Sequence, residues 1–157
     1  MKRTAFGLTF ALVSTGLFAG NALAEDGPFA KEIEARQGIM MYRAINIGTL
    51  AAMAKGDAEY DAEKASIAAN AIAASAKLDQ SMLWPMGSDN AANPDSTAAA
   101  SIWAEGSNIG TLAGDFASAA DAMAAAAGTD LASLQAAMGP LGGSCGACHK
   151  AHRVPAE

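Results

Sequence analysis

The stretch Leu112-Ala-Gly-Asp-Phe-Ala-Ser-Ala-Ala-Asp-Ala-Met-Ala-Ala-Ala-Ala127 decides the fold class of this protein. Alanine has the highest helix propensity of all residues and is depleted in strands. The same bias runs through the whole chain, in which 41 of 157 residues are alanine. A chain of this length builds one domain, and its 52% hydrophobic content is enough for a core. The sequence therefore predicts a small all-α domain.

The chain is acidic, with 10 basic and 16 acidic residues and a net charge of −6. This charge argues against a nucleic-acid binder, which would present a basic surface to phosphates. We recognise no nucleophile–base pair and no cluster of carboxylates, so we do not expect an enzyme. An acidic surface would suit a basic redox partner through electrostatic steering.

The N-terminus has the pattern of an export signal. Lys2 and Arg3 precede an apolar stretch over 5–18, and Ala22-Leu-Ala24 supplies a small-x-small cleavage pattern. A transmembrane anchor is the alternative, but the apolar run is short and interrupted by polar residues and glycines. We therefore expect a cleavable signal peptide over 1–24 and one exported domain over 25–157. No later apolar stretch is long enough to predict a membrane span.

Glycine and proline divide the remaining sequence into four predicted helices. These cover residues 28–55, 61–82, 96–127 and 130–153, with a polar loop over 85–95. Gly139-Pro140 and Gly142-Gly143 predict a kink or a break in the fourth helix. Four helices with mostly short connections predict an antiparallel four-helix bundle. Large apolar residues are sparse, so something other than side chains is expected to fill part of its centre.

The chemistry of the chain lies in Cys145-Gly-Ala-Cys148-His149, which fits the C-x-x-C-H pattern of covalent haem attachment. Thiols at i and i+3 share one helix face and can each add across a haem vinyl group, and His149 then projects towards the iron as axial ligand. A thiol-redox pair or a metal-handling site that includes His152 is the remote alternative. No strand precedes Cys145, and the spacing is cramped for tetrahedral zinc.

Three segments resemble class II c-type cytochromes, the cytochrome c′ family with its low-spin methionine-ligated relatives. They are Ala35-Arg-Gln-Gly38, Ile102-Trp103 and 141–149, the last continuing to the basic Arg153. The resemblance implies a periplasmic four-helix bundle with one covalent haem c and its iron, acting in electron transfer or in binding nitric oxide or carbon monoxide. It also implies a possible homodimer through the first two helices. His152 departs from the aromatic residue of relatives, and we expect it to be partly exposed.

The resemblance further implies which side chains surround the haem. Arg36 would lie near a propionate, Gln37 beside the haem, Met40 on the distal side and Thr97 at the haem edge. Arg36 and Met40, at i and i+4, share one helix face, and an Arg on an apolar stripe needs an anion. The alternatives are an exposed Arg36 paired with Glu32 and a Thr97 that merely starts a helix.

The sixth coordination position of the iron decides between two functions. If Met40 ligates the iron, the protein is a low-spin electron carrier. If Met40 only covers the iron, a guarded high-spin pocket admits small gases, and Met40 could also be ordinary core packing. The adjacent Met41 could shift the register. The stretch over 53–61 looks more like the c′ branch and slightly favours the high-spin alternative.

Overall fold

The computed structural model describes residues 27–155, in which four helices form an antiparallel bundle. They are α1 (Ala30–Lys55), α2 (Ala62–Ala76), α3 (Ile109–Ala126) and α4 (Leu131–His152). Each helix packs against the next, and α1 packs against α4. The prediction of an all-α four-helix bundle is confirmed. The predicted signal peptide over 1–24 lies outside the described residues.

The sequence signals for helix ends explain several boundaries. Gly56 ends α1 in the left-handed conformation, at φ 81°, and its N–H donates to carbonyls of the last turn. The carboxylates of Asp61 and Asp130 cap α2 and α4 by accepting hydrogen bonds from the backbone N–H groups of Lys64 and Ser133. These backbone hydrogen bonds lower the pKa of both aspartates.

The two caps predict a loss of stability in acid. Because the folded-state pKa of each carboxyl lies below its usual value of about 3.9, each stabilises the fold above pH about 4. That contribution is lost as the pH falls through the folded-state pKa. Replacing Asp61 and Asp130 by Asn should keep a capping oxygen at each helix start. The midpoint temperature of thermal denaturation should then depend less on pH below pH about 4. If the midpoint temperature of the double variant depends on pH as strongly as that of the parent protein, this account is contradicted.

Two predicted helix boundaries are wrong. The second helix ends at Ala76 rather than near 82, because the Asp79 carboxylate accepts from the N–H of Ser81 and closes a turn. The third helix begins at Ile109 rather than 96. Residues 97–99 instead run beside the end of α4, where Val154 N donates to Thr97 O and Ala99 N donates to His152 O. These long-range hydrogen bonds replace the helical ones.

The predicted break in the fourth helix is absent, because α4 continues through Pro140. A proline removes one backbone hydrogen bond and can be tolerated where packing holds both sides. Leu134 and Leu141, on either side of Pro140, are both fully buried. Tertiary packing therefore keeps the helix intact through a segment that contains three glycines and a proline.

The apolar core occupies one half of the bundle. It is formed by the C-terminal part of α1, most of α2, the C-terminal part of α3 and the first half of α4. Its buried members are Leu50, Met53, Ala65, Ala68, Ala69, Ile72, Ala73, Ala120, Met123, Ala127, Leu134 and Leu141. Half of them are alanines, which let the helices approach closely. The few large side chains are therefore important for stability.

Replacing Ile72 by alanine should destabilise the protein by about 2–5 kcal/mol, because it opens a cavity in a fully buried site. The matched control is Leu78→Ala just beyond the end of the same helix, where the side chain is 53% exposed. That variant should stay within about 0.5 kcal/mol of the parent protein. Urea unfolding of both purified variants measures the difference, and equal losses would contradict the assignment of the core.

Candidate functional site

The two cysteines lie one turn apart on α4 and are both half-buried free thiols. Burial raises the pKa of each thiol, and the neighbouring Cys145 further raises the pKa of Cys148. His149 follows on the same helix and is solvent-accessible. Partial desolvation, followed by the positive charge of Arg153, lowers the pKa of its imidazole. The neutral imidazole that this favours is the form that binds iron.

Arg36 is buried, at 4% exposure, so the alternative of an exposed arginine is wrong. Its guanidinium donates to Leu83 O, to the hydroxyl and carbonyl oxygens of Ser88, and to Ser96 Oγ. It also lies 4.6 Å from the ring centroid of Trp84. All these partners are neutral, and burial lowers the pKa of Arg36. The result is a buried cation without a carboxylate partner among the described residues.

Gln37 and Thr97 lie at the edges of the segment that Arg36 organises. The exposed Gln37 donates from Nε2 to Asp95 O at 2.7 Å. Thr97 is half-buried, and its carbonyl accepts from Val154 N beyond the end of α4. Since α3 begins only at Ile109, the alternative of Thr97 as a helix-start residue is wrong.

The two adjacent methionines face different surroundings. Met41 is 63% exposed, whereas Met40 is 38% exposed and its Sδ lies 3.8 Å from Arg43 Nη1. Arg43 was missed by the sequence analysis, although residues 36, 40 and 43 recur at helical spacing. Burial lowers the pKa of Arg43, and the nearby Cys145 and Cys148 oppose that shift without reversing it. Arg43 on α1 therefore lies within electrostatic range of the cysteines of α4.

His152 is buried, at 6% exposure, so the expectation of a partly exposed side chain is wrong. Its Nδ1 lies 2.9 Å from Ser101 Oγ and its Nε2 lies 2.8 Å from Asn108 Oδ1. Both partners belong to the connection that was predicted to be helical. His152 therefore holds this connection against the end of the helix that carries the cysteines.

Two observations weigh against the remote thiol-redox or metal-handling alternative. Across residues 27–155, no group of three or more His, Cys, Asp or Glu side chains is arranged to hold a metal ion. The pKa of both thiols is raised, whereas reactive redox cysteines have a lowered pKa.

The residues present fit a covalent haem. The cluster of buried apolar side chains ends at Leu141, one turn before Cys145. Gly142, Gly143 and Gly146 are exposed, and a Cβ added at any of them would meet nothing within 4 Å, so no other side chain covers this surface of α4. The two thiols on one helix face match the vinyl groups of one haem, and the neutral imidazole matches its iron. The buried cation without an anion matches a propionate of the same haem.

A four-helix bundle with Cys-x-x-Cys-His beyond its apolar core defines the class of bundle-type c-type cytochromes. The family model described as Cytochrome C′ matches residues 31–153. The chain belongs to the cytochrome c′ family. It is accordingly a mono-haem c-type cytochrome with a covalent haem c and its iron, in a family of electron-transfer and gas-binding proteins. The predicted family and cofactor are confirmed.

Similarity to individual relatives extends over nearly the whole chain. Cytochrome c-554 of Cereibacter sphaeroides is 42% identical over 150 residues, covering 95% of each chain. Cytochrome c′ of the same organism is 34% identical over 91% of this chain and 96% of the relative. The solved structure of cytochrome c′ from Rhodobacter sphaeroides has a TM-score of 0.77 at 35% identity, covering 80% of this chain and 97% of the other.

Two further similar structures carry information on ligands and assembly. One is a nitrosyl complex of a cytochrome c′ variant from Alcaligenes xylosoxidans, with a TM-score of 0.70 at 26% identity, covering 80% of this chain and 97% of the other. The other is a cytochrome c′ with ligand-controlled dimer dissociation, with a TM-score of 0.71 at 26% identity, covering 80% and 95%. Within residues 27–155, none of the helices is both long and apolar enough to cross a membrane.

Proposed function

We propose that Cys145 and Cys148 form the two thioethers to the haem and that His149 is its proximal iron ligand. The one-turn spacing of the half-buried thiols on α4 supports this assignment, as does the lowered pKa of His149. The bound haem supplies a one-electron couple and one further coordination position. The residues of α4 hold the haem covalently and orient the imidazole.

Arg36 pairs with a haem propionate, and Gln37 and Thr97 lie beside the haem edge. The burial of the Arg36 guanidinium among neutral acceptors supports the pairing, because a buried cation is stabilised by an anion. The same guanidinium holds the Leu83, Ser88 and Ser96 segment in place. Arg36 therefore links haem binding to the order of this connection.

Met40 covers the distal side without ligating the iron, and the protein binds small uncharged gases at the sixth position. The observation that carries this proposal is the contact between Met40 Sδ and Arg43 Nη1, which directs a sulfur lone pair to a hydrogen-bond donor. The nitrosyl complex of a similar cytochrome c′ also supports it. The second candidate function is a low-spin electron carrier in which Met40 and His149 are both ligands.

Visible absorption of the oxidised, reduced and carbon monoxide-treated protein tests this proposal. Broad high-spin bands that shift with carbon monoxide are expected. Met40→Ala should keep the high-spin spectrum and bind carbon monoxide faster, because the cover over the iron is smaller. Met41→Ala is the matched control at the 63% exposed neighbour. Sharp bands that become high-spin only in Met40→Ala would instead establish the electron carrier.

We place the protein in the periplasm as a non-enzymatic haem protein with a still unidentified redox partner. The export pattern of the first 24 residues supports the location. A homodimer through α1 and α2 is supported by large apolar side chains exposed on these helices, namely Met41, Tyr42, Ile45 and Ile67. Sedimentation of the Ile45→Lys variant tests the dimer, and an unchanged dimer would exclude this face.

A further inference from the structure

The connection between α2 and α3 exposes three large apolar side chains close together in the sequence. Met82 is 83% exposed, Met86 is 77% exposed, and Leu78, just beyond the end of α2, is 53% exposed. We call these three side chains the methionine surface. Exposed apolar side chains that are grouped in this way indicate a site of interaction with another molecule.

The methionine surface is fixed in position by hydrogen bonds. Backbone hydrogen bonds close one turn around Met82 and a second turn around Met86. Arg36 donates to Leu83 O and to both oxygens of Ser88, so that it holds both turns against α1. A surface ordered in advance loses little conformational entropy when a partner binds. Because Arg36 is the residue assigned to a propionate, this surface also lies beside the proposed propionate edge of the haem.

The charge around the methionine surface is negative. Residues 78–149 contain seven Asp or Glu residues and no Lys or Arg. Asp79 is exposed within the surface, and the exposed Asp95 and Glu34 line one cleft between the connection and the start of α1. Lys77, which precedes the surface, is paired with a carboxylate of α3 at 2.8 Å. The apolar side chains are therefore accompanied by carboxylates that this lysine does not neutralise.

The exposed cations of the neighbouring elements lie beside acids or further along the connection. Lys31 in the first turn of α1 is followed within one turn by Glu34. Lys150 and Arg153 are exposed at the end of α4, beside which residues 97–99 run. The negative part of the connection is therefore its first part, which carries the methionines.

We propose that the methionine surface binds a small basic haem protein as redox partner. This inference rests on the electron-transfer role and the redox partner of the proposed function, and it adds the binding site and the charge of the partner. Lysines around an apolar centre of the partner would pair with Asp79, Asp95 and Glu34, and the adaptable methionine side chains would pack against that centre. One electron would leave the ferrous haem of one protein and reduce the ferric haem of the other, without exchange of a proton or a bond.

The same charges disfavour two other occupants of the methionine surface. A second copy of this chain would bring its own carboxylates against those of the first, and an anionic membrane would also place like charges together. A basic protein is the occupant that complements both the apolar centre and the acidic surroundings.

Titration calorimetry of the holoprotein with a lysine-rich cytochrome c tests the proposal. Met82→Lys should raise the dissociation constant about tenfold or more, because it places a positive charge within the binding surface. Ala58→Lys makes the same change of charge at an exposed position beyond the other end of α1, about 30 Å from Arg36. This control should change the constant less than about twofold in 0.1 M salt, where the screening length is about 10 Å.

Two results of the calorimetry would overturn the proposal. Equal losses of affinity in Met82→Lys and Ala58→Lys would show that the probe recognises only the net charge. No binding of the probe to the parent protein would exclude a basic partner. If the parent protein is a dimer that Met82→Lys dissociates, the surface binds a second copy instead. The coordination of Met40 does not enter these measurements, so a failure of the proposed gas binding leaves them valid.

Cross-linking of the parent protein to the same probe locates the contact. A carbodiimide joins carboxylates of this protein to lysines of the probe only where the two are in contact. The cross-linked peptides should contain Asp79, Asp95 or Glu34. Cross-links confined to Asp57 and Glu59, which are exposed beyond the opposite end of α1, would overturn the assignment of the surface.

Discussion

Replacing both Cys145 and Cys148 by serine should abolish covalent haem retention, so that acid–acetone extracts all of the pigment. A hydroxyl does not form a stable bond to a haem vinyl carbon under the conditions in which a thiol does. The single variant Cys148→Ser should retain at most one thioether. The pyridine haemochrome band should then move to longer wavelength, because one vinyl group stays conjugated with the ring.

Ser144→Ala is the matched control for these variants. Ser144 precedes Cys145 and its hydroxyl donates to Leu141 O within its own helix, and a serine hydroxyl forms no bond to the haem, so its loss should leave the haem attached. Each variant is expressed together with the haem-maturation machinery. Equal amounts of each protein are then extracted with acid–acetone, and the released pigment is compared. If the pigment of the double variant resists extraction, the thioether assignment is incorrect. If the Ser144→Ala protein also loses its pigment, the cysteine variants report general damage to α4.

Replacing Arg36 by methionine should lower the free energy of unfolding by about 3 kcal/mol. The change removes a buried donor that bonds to Leu83 O, to both oxygens of Ser88 and to Ser96 Oγ. Each buried acceptor left without a partner costs about 1–3 kcal/mol, offset in part by the removal of a buried charge. Arg36→Lys should rescue little, because an ammonium cannot reproduce the planar fork.

Urea unfolding of the purified holoproteins measures this effect, with Gln37→Met as the control. Gln37 is the exposed neighbour with a single long-range hydrogen bond to Asp95 O, and its variant should lie within about 0.5 kcal/mol of the parent. A loss below about 1 kcal/mol for Arg36→Met would mean that the 83–96 connection holds without it.

Local sequence signals predicted the helices well where short-range chemistry controls them. Gly56 and the capping aspartates Asp61 and Asp130 mark three helix ends, because the left-handed φ and the capping bond involve only neighbouring residues. The extent of the third helix could not be predicted in this way. Residues 97–99 bond to the end of α4, some 50 positions away, and no local pattern records such a partner.

The sequence by itself determined the all-α class, the family and the haem-attachment motif. Alanine content and the spacing of Cys145, Cys148 and His149 are properties of the chain that survive without any tertiary contact. Only the tertiary structure decided the environments of Arg36, Arg43 and His152. Burial and hydrogen-bond partners depend on which helices meet. The buried Arg36, the half-buried Arg43 bonded to Ser75 and the fully bonded His152 therefore became visible only in the folded bundle.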